Sequence, residues 1–86
     1  MPEISRFFGI IIQMYFSDHA PPHFHAVYQD FTIAIQIENG LVIKGNLPPR
    51  VYGFVQEWRT LHVAELMENW QHAQTDGKFT KISPLE

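Results

Sequence analysis

The sequence predicts an α+β domain: a four-stranded, mainly antiparallel sheet built of hairpins, followed by one long or broken C-terminal helix. Three observations carry this. Up to about residue 45 the chain alternates side chains in steps of two, punctuated by short turn signals. From Arg50 to about Thr75 its apolar residues recur at a helical period. With 86 residues the chain is one domain, 1–86, and 45% hydrophobic against 17% charged residues is a globular composition that can offset ordering entropy by burial.

The run Phe7–Phe16 is rich in β-branched and aromatic residues and reads as the first strand, with Phe8, Ile10, Ile12, Met14 and Phe16 on its core face. Ser17–Pro22 is a loop, because two consecutive prolines have no N–H for a ladder. His23–Tyr28 alternates again, with Phe24, Ala26 and Tyr28 on one side and His23, His25 and Val27 on the other. Gln29-Asp30 suits a tight turn. Phe31–Ile37 then alternates most cleanly, with Phe31, Ile33, Ile35 and Ile37 on one face. Asn39-Gly40 is a strong hairpin signal, since both residues tolerate the positive φ of a type I′ turn. Leu41–Gly45 is the return strand, with Leu41 and Ile43 facing in.

Leu47-Pro48-Pro49 ends the sheet, and Pro49 fits the first turn of a helix. Val51, Phe54, Val55, Trp58, His62 and Leu66 form its apolar stripe, and Asp76-Gly77 closes it. About 26 helical residues would span ~39 Å, longer than the ~30 Å diameter of a domain this size. A break near Thr60-Leu61-His62 resolves this, with His62 as a cap and Glu65 three residues on. The rival is an unbroken helix whose far end, carrying Met67 and Trp70, docks on a partner. Phe79–Ile82 forms a short last strand or an ordered tail.

Composition excludes several functions. No apolar run approaches the ~20 residues of a membrane-spanning helix. MPEISR lacks the layout of a secretory signal. The chain has no cysteine, which removes thiolate chemistry and suits a cytoplasmic location. Net charge is −3 with no basic stripe, so duplex DNA is not an expected partner of this chain alone. No phosphate-binding glycine loop, G-x-S-x-G or H-E-x-x-H is present.

One cluster carries chemistry. Asp18, His19, His23 and His25 fall within eight residues, D-H-A-P-P-H-F-H. On a strand, His23 and His25 share a face, with backbones ~6.5–7 Å apart. Their imidazoles can lean onto one ion, such as zinc, with His19 or Asp18 as a third donor and water in the remaining position. The same pair, His23 and His25, could instead be catalytic acid and base on a phosphodiester without metal. Clustered histidines could also gate partner binding by titration. The competing reading is structural: rings packed against Tyr15, Phe16, Phe24 or Tyr28 and bonded to main-chain carbonyls. Trp58 and Trp70 read as core anchors, Glu65 and Glu68 as a solvated face. Arg6 reads as strand-end charge, and Arg50, set against the macrodipole, as an anion or partner contact.

The opening M-P-E-I-S-R-F-F-G-I-I-I-Q-M-Y-F, the run D-H-A-P-P-H-F-H-A-V-Y, and the later L-P-P-R, E-W and L-H-V-A-E-L-M-E-N-W resemble a family of small bacterial proteins, domain of unknown function four-one-six-zero. The resemblance spans nearly the whole chain and is most specific at Asp18, His19, Pro21, Pro22, His23, Phe24, His25 and Ala26. It implies a compact α+β domain, often encoded beside a second small protein in an arrangement like a toxin–antitoxin pair. It carries no established activity. Two functions are therefore expected: a protein-binding or regulatory component of such a pair, acting with a small partner or by self-association, or a small metal-assisted or histidine-based hydrolase acting on phosphodiesters or RNA. A surplus of apolar residues motivates the first, and the histidine cluster the second.

Overall fold

A computed structural model describes residues 2–86. Its strands are β1 (Glu3–Phe7), β2 (Ile10–Gln13), β3 (His23–Tyr28), β4 (Phe31–Gln36) and β5 (Val42–Gly45), followed by helices α1 (Pro49–Leu61) and α2 (Val63–Gln74). The strands lie in sequence order in one sheet, and every neighbouring pair is antiparallel. The class is α+β, but the sheet has five strands rather than four, and the helical segment is two helices.

The fifth strand comes from a hairpin hidden inside the apolar run. The chain reverses at Phe8-Gly9, where φ is 52° and 78°, and Phe7 pairs with Ile10 across the two-residue turn. Positive φ at both central residues matches the strand twist; Gly9 adopts it without steric cost. Residues directly opposite share a face, so Phe7 is buried beside Ile10, Ile12 and Met14. Phe8 and Phe16, expected on the core face, are instead 54% and 55% exposed.

Between β4 and β5 the turn is wider than the two-residue Asn39-Gly40 hairpin expected. Gln36 N–H donates to Leu41 O at 2.9 Å and Gly40 N–H to Gln36 O at 3.1 Å, and of the pair only Gly40 takes positive φ. Helix α1 accounts for the shape: Arg59 Nη1 donates to Ile37 O at 2.9 Å and Gln56 Nε2 to Gly40 O at 2.8 Å. Ile37 is thereby drawn fully into the core. Leu41 and Ile43 do not face in as expected; with Val42 they are 44–58% exposed. A register shift between Ala34 and Ile35 displaces β5, which pairs on one side only at the sheet edge.

One sheet face supplies Ile10, Ile12, Met14, Phe24, Ile33, Ile35 and Ile37 to the core, and the helices supply Val51, Val55, Trp58, Leu66 and Trp70. The helices part at His62, where φ is −130° and ψ 26°. An unbroken helix of 26 residues, ~39 Å long, would exceed the 34 Å long axis. The His62 side chain caps no backbone N–H; its Nδ1 instead meets Glu65 Oε1 at 2.6 Å. Phe79–Ile82 is an ordered tail, not a strand. It is pinned by Asn69, whose amide donates to Thr80 O and accepts from Thr80 N–H at 2.8 Å each, and by Trp58 Nε1 donating to Ser83 O at 2.8 Å. Ile82 N–H donates to Ile4 O at 2.8 Å, so the tail lies along β1 while the β5 strand stays exposed. Among the described residues no helix is long and apolar enough to cross a membrane.

Candidate metal centre

Strand β3 sets the site. Its alternation sends Phe24 and Ala26 into the core and His23 and His25 to the opposite side, as the two-residue step requires. The imidazoles lean together, with ring centroids 5.1 Å apart. His23 is buried against Trp70 at 5.3 Å, and Tyr15 stacks on His25 at 4.1 Å and 29°. Of the aromatic walls expected, Tyr15 serves. Phe24 lies in the core, Phe16 packs on Phe79, and Tyr28 lies beside Gly9. Trp70 was legible as a core anchor but not as the buttress of His23.

Asp18 reaches the pair from the β2–β3 loop. That loop is fastened to the end of α2: Ser17 N–H donates to Ala73 O at 3.0 Å and Gln74 Nε2 to Asp18 O at 3.2 Å. Asp18 Oδ1 accepts the His19 backbone N–H at 2.8 Å. Its Oδ2 lies 3.0 Å from His23 Nε2 and 3.4 Å from His25 Nε2. One donor atom from each of Asp18, His23 and His25 therefore lies within 4.8 Å of the others. His19, expected as a possible third ligand, is exposed and stands outside this group, contributing only its backbone N–H.

The protonation geometry at His23 is telling. Its Nδ1 lies 2.7 Å from Pro21 O, a pure acceptor, so Nδ1 carries the proton. In a neutral ring Nε2 then offers a lone pair, and it faces a carboxylate oxygen at 3.0 Å. Two lone pairs converging at that distance are an arrangement that a metal ion held between them would satisfy. A histidine tied through one nitrogen to a main-chain carbonyl is also the usual way a metal ligand is held in one tautomer.

Electrostatics act in the same sense. Burial pushes the His25 imidazole below its ordinary range, outweighing the Asp18 hydrogen bond; His23 and Lys44 press the same way. His25 is thus favoured as a neutral donor. At Asp18 burial tends to raise the carboxyl. The His19 N–H, the His25 hydrogen bond and the charges of His23 and His25 overcome it and hold the group below the usual value.

The remaining singled-out residues lie outside the cluster. Trp58 and Trp70 are core, and Arg6 pairs with Glu3 at 2.7 Å on the surface. Arg50 lies 5.6 Å over the Phe54 ring. Lys44 joins this surface with no signal in the sequence alone. Register places Gln13, His25, Ala34 and Lys44 in one row across β2 to β5, a relation that appears only once the hairpins are aligned.

Fold and site together define a small α+β domain: an antiparallel meander packed against two helices, with a carboxylate–histidine–histidine cluster where β3 and the β2–β3 loop meet the end of α2. Over residues 9–71, more than half of the chain, the sequence matches the family described as domain of unknown function (DUF4160), and the chain belongs to that family. Searches of curated proteins and of solved structures find no match.

Proposed function

We propose that the chain is a metal-binding protein that holds one divalent transition ion, zinc being the best suited, through Asp18 Oδ2, His23 Nε2 and His25 Nε2. The observation that carries this is the convergence of three donors with His23 Nε2 facing a carboxylate at 3.0 Å. Tetrahedral zinc with bonds of 2.0–2.1 Å needs ligand–ligand separations of about 3.3 Å. The two oxygen–nitrogen separations, 3.0 and 3.4 Å, lie around that value, and all three donors fall within 4.8 Å of one another. Three protein ligands leave one position open, the arrangement of catalytic rather than structural zinc. In that position a bound ion would supply an acidified water, so the chemistry this reading favours is hydrolytic. A net charge of −3 favours a small substrate over RNA.

Metal analysis of the purified chain with thermal unfolding tests this. One equivalent of zinc with a raised melting temperature is expected, and both are lost in His23→Ala/His25→Ala. No bound ion and no shift in the native chain overturns the reading.

A second reading rests on β5. Val42 and Ile43 on the edge strand, and Leu41 just before it, are exposed, whereas the tail lies along β1. Such an edge accepts an added strand. Here it would come from a small protein partner, in keeping with a regulatory component of a two-gene, toxin–antitoxin-like pair. Co-purification of that partner, lost in Val42→Glu, supports it; a monomer indifferent to the co-expressed neighbour contradicts it.

A further inference from the structure

The open face of the sheet carries a shallow pocket of about 210 Å³ beside the histidine pair. Tyr15, His25, Val27, Thr32, Ala34 and Lys44 line it. At ~30 Å³ per water it holds the equivalent of about seven waters, enough for a ring or short chain with one polar group. It adjoins the metal donors, sharing His25 with them, whereas Asp18 and His23 do not line it.

Its chemistry is one-sided. Val27, Ala34 and the Tyr15 ring give apolar walls, and the Thr32 hydroxyl gives a polar contact. The one formally charged side chain is Lys44, and no carboxylate lines the pocket. Lys44 pairs with no acid among the described residues, although the chain carries nine Asp and Glu. The register explains where it points. Ala34 lies opposite both His25 and Lys44, so all three project from the same face, with His25 and Lys44 two strand spacings apart, or about 10 Å at the backbone. Alanine between them leaves the floor low.

We infer that this pocket binds a small oxyanion with an apolar body, its anionic group on the Lys44 ammonium and its body between Tyr15 and the Val27–Ala34 floor. Carboxylates and phosphate monoesters share that chemistry. The site stands on residues other than Asp18 and His23, so it is expected to fill with or without bound metal.

Amide chemical-shift titrations on the zinc-free chain, using benzoate, phenyl phosphate and neutral benzyl alcohol as probes, test this. Saturable shifts centred on Thr32, Ala34 and Lys44 are expected with at least one anion. Which anion binds distinguishes a carboxylate from a phosphate ligand. Lys44→Met should weaken binding about tenfold or more, the scale of a lost charge-assisted contact, while leaving the spectrum otherwise folded. Lack of saturable shifts with both anions overturns the inference, as does equal binding of benzyl alcohol or unchanged affinity in Lys44→Met. A separate zinc titration of Lys44→Met should match the native chain. Failure of the anion site therefore leaves the metal reading standing, and failure of zinc binding leaves the pocket standing.

Discussion

Asp18→Asn is the sharpest perturbation of the proposed centre, because it removes charge without removing volume. The Asp18 Oδ1 contact with the His19 N–H survives in an amide, as does the Gln74 bond to the Asp18 main chain, so the loop should keep its place. What is lost is the anionic Oδ2 that lies 3.0 and 3.4 Å from the two imidazole nitrogens. Loss of a mere supporting partner typically costs about 10–100-fold in metal affinity, so loss of the carboxylate ligand should reach the upper end. At zinc one hundred times its dissociation constant the native chain should gain about 2.7 kcal/mol. For a domain this small that is roughly 11–22 °C in melting temperature. With affinity a hundredfold weaker at the same zinc, the gain falls to RT ln 2, about 0.4 kcal/mol or about 2–3 °C. The assay is thermal unfolding followed by circular dichroism, with and without zinc, in native, Asp18→Asn and His19→Ala chains. His19→Ala should behave as native. Equal zinc shifts in native and Asp18→Asn chains would refute the reasoning.

Two further outcomes follow from the same structure. Glu3, Asp18, His25 and Asp76 all lie below their ordinary values in the fold. Their stabilisation is present above the unfolded values and is lost as pH falls through the lowered folded ones, so the zinc-free chain should lose stability steadily from about pH 7 to pH 3; urea midpoints that rise on acidification would contradict this. Asn69 is buried and makes two hydrogen bonds to Thr80, so Asn69→Ala should cost about 2 kcal/mol at ~1 kcal/mol per bond, with faster amide exchange from Thr80 to Ile82 as its signature.

The parts of this fold legible in sequence are those where one period decides the structure. β3 runs from His23 to Tyr28 as its alternation indicates, and that alternation alone places His23 and His25 on one side. The helical half divides at His62 because its length exceeds the body it covers. The hairpin at Phe8-Gly9 was hidden for a physical reason: phenylalanine at φ 52° has no turn signature, so an apolar run conceals a reversal. β1 was missed with it, since Glu3, Ser5 and Arg6 dilute its pattern. β5 misled in the opposite way, its apolar residues lying on an exposed edge. Within the site, adjacency could not decide between Asp18 and His19. That choice is made by the loop's fastening to Ala73 and Gln74, more than fifty residues on.

X-ray absorption at the zinc edge of the loaded chain tests the centre most directly. One zinc per chain is expected, with two imidazole nitrogens and a carboxylate oxygen at about 2.0–2.2 Å, and loss of the two-imidazole scattering in His23→Ala/His25→Ala. Substoichiometric zinc, or a shell without paired imidazoles, would contradict it.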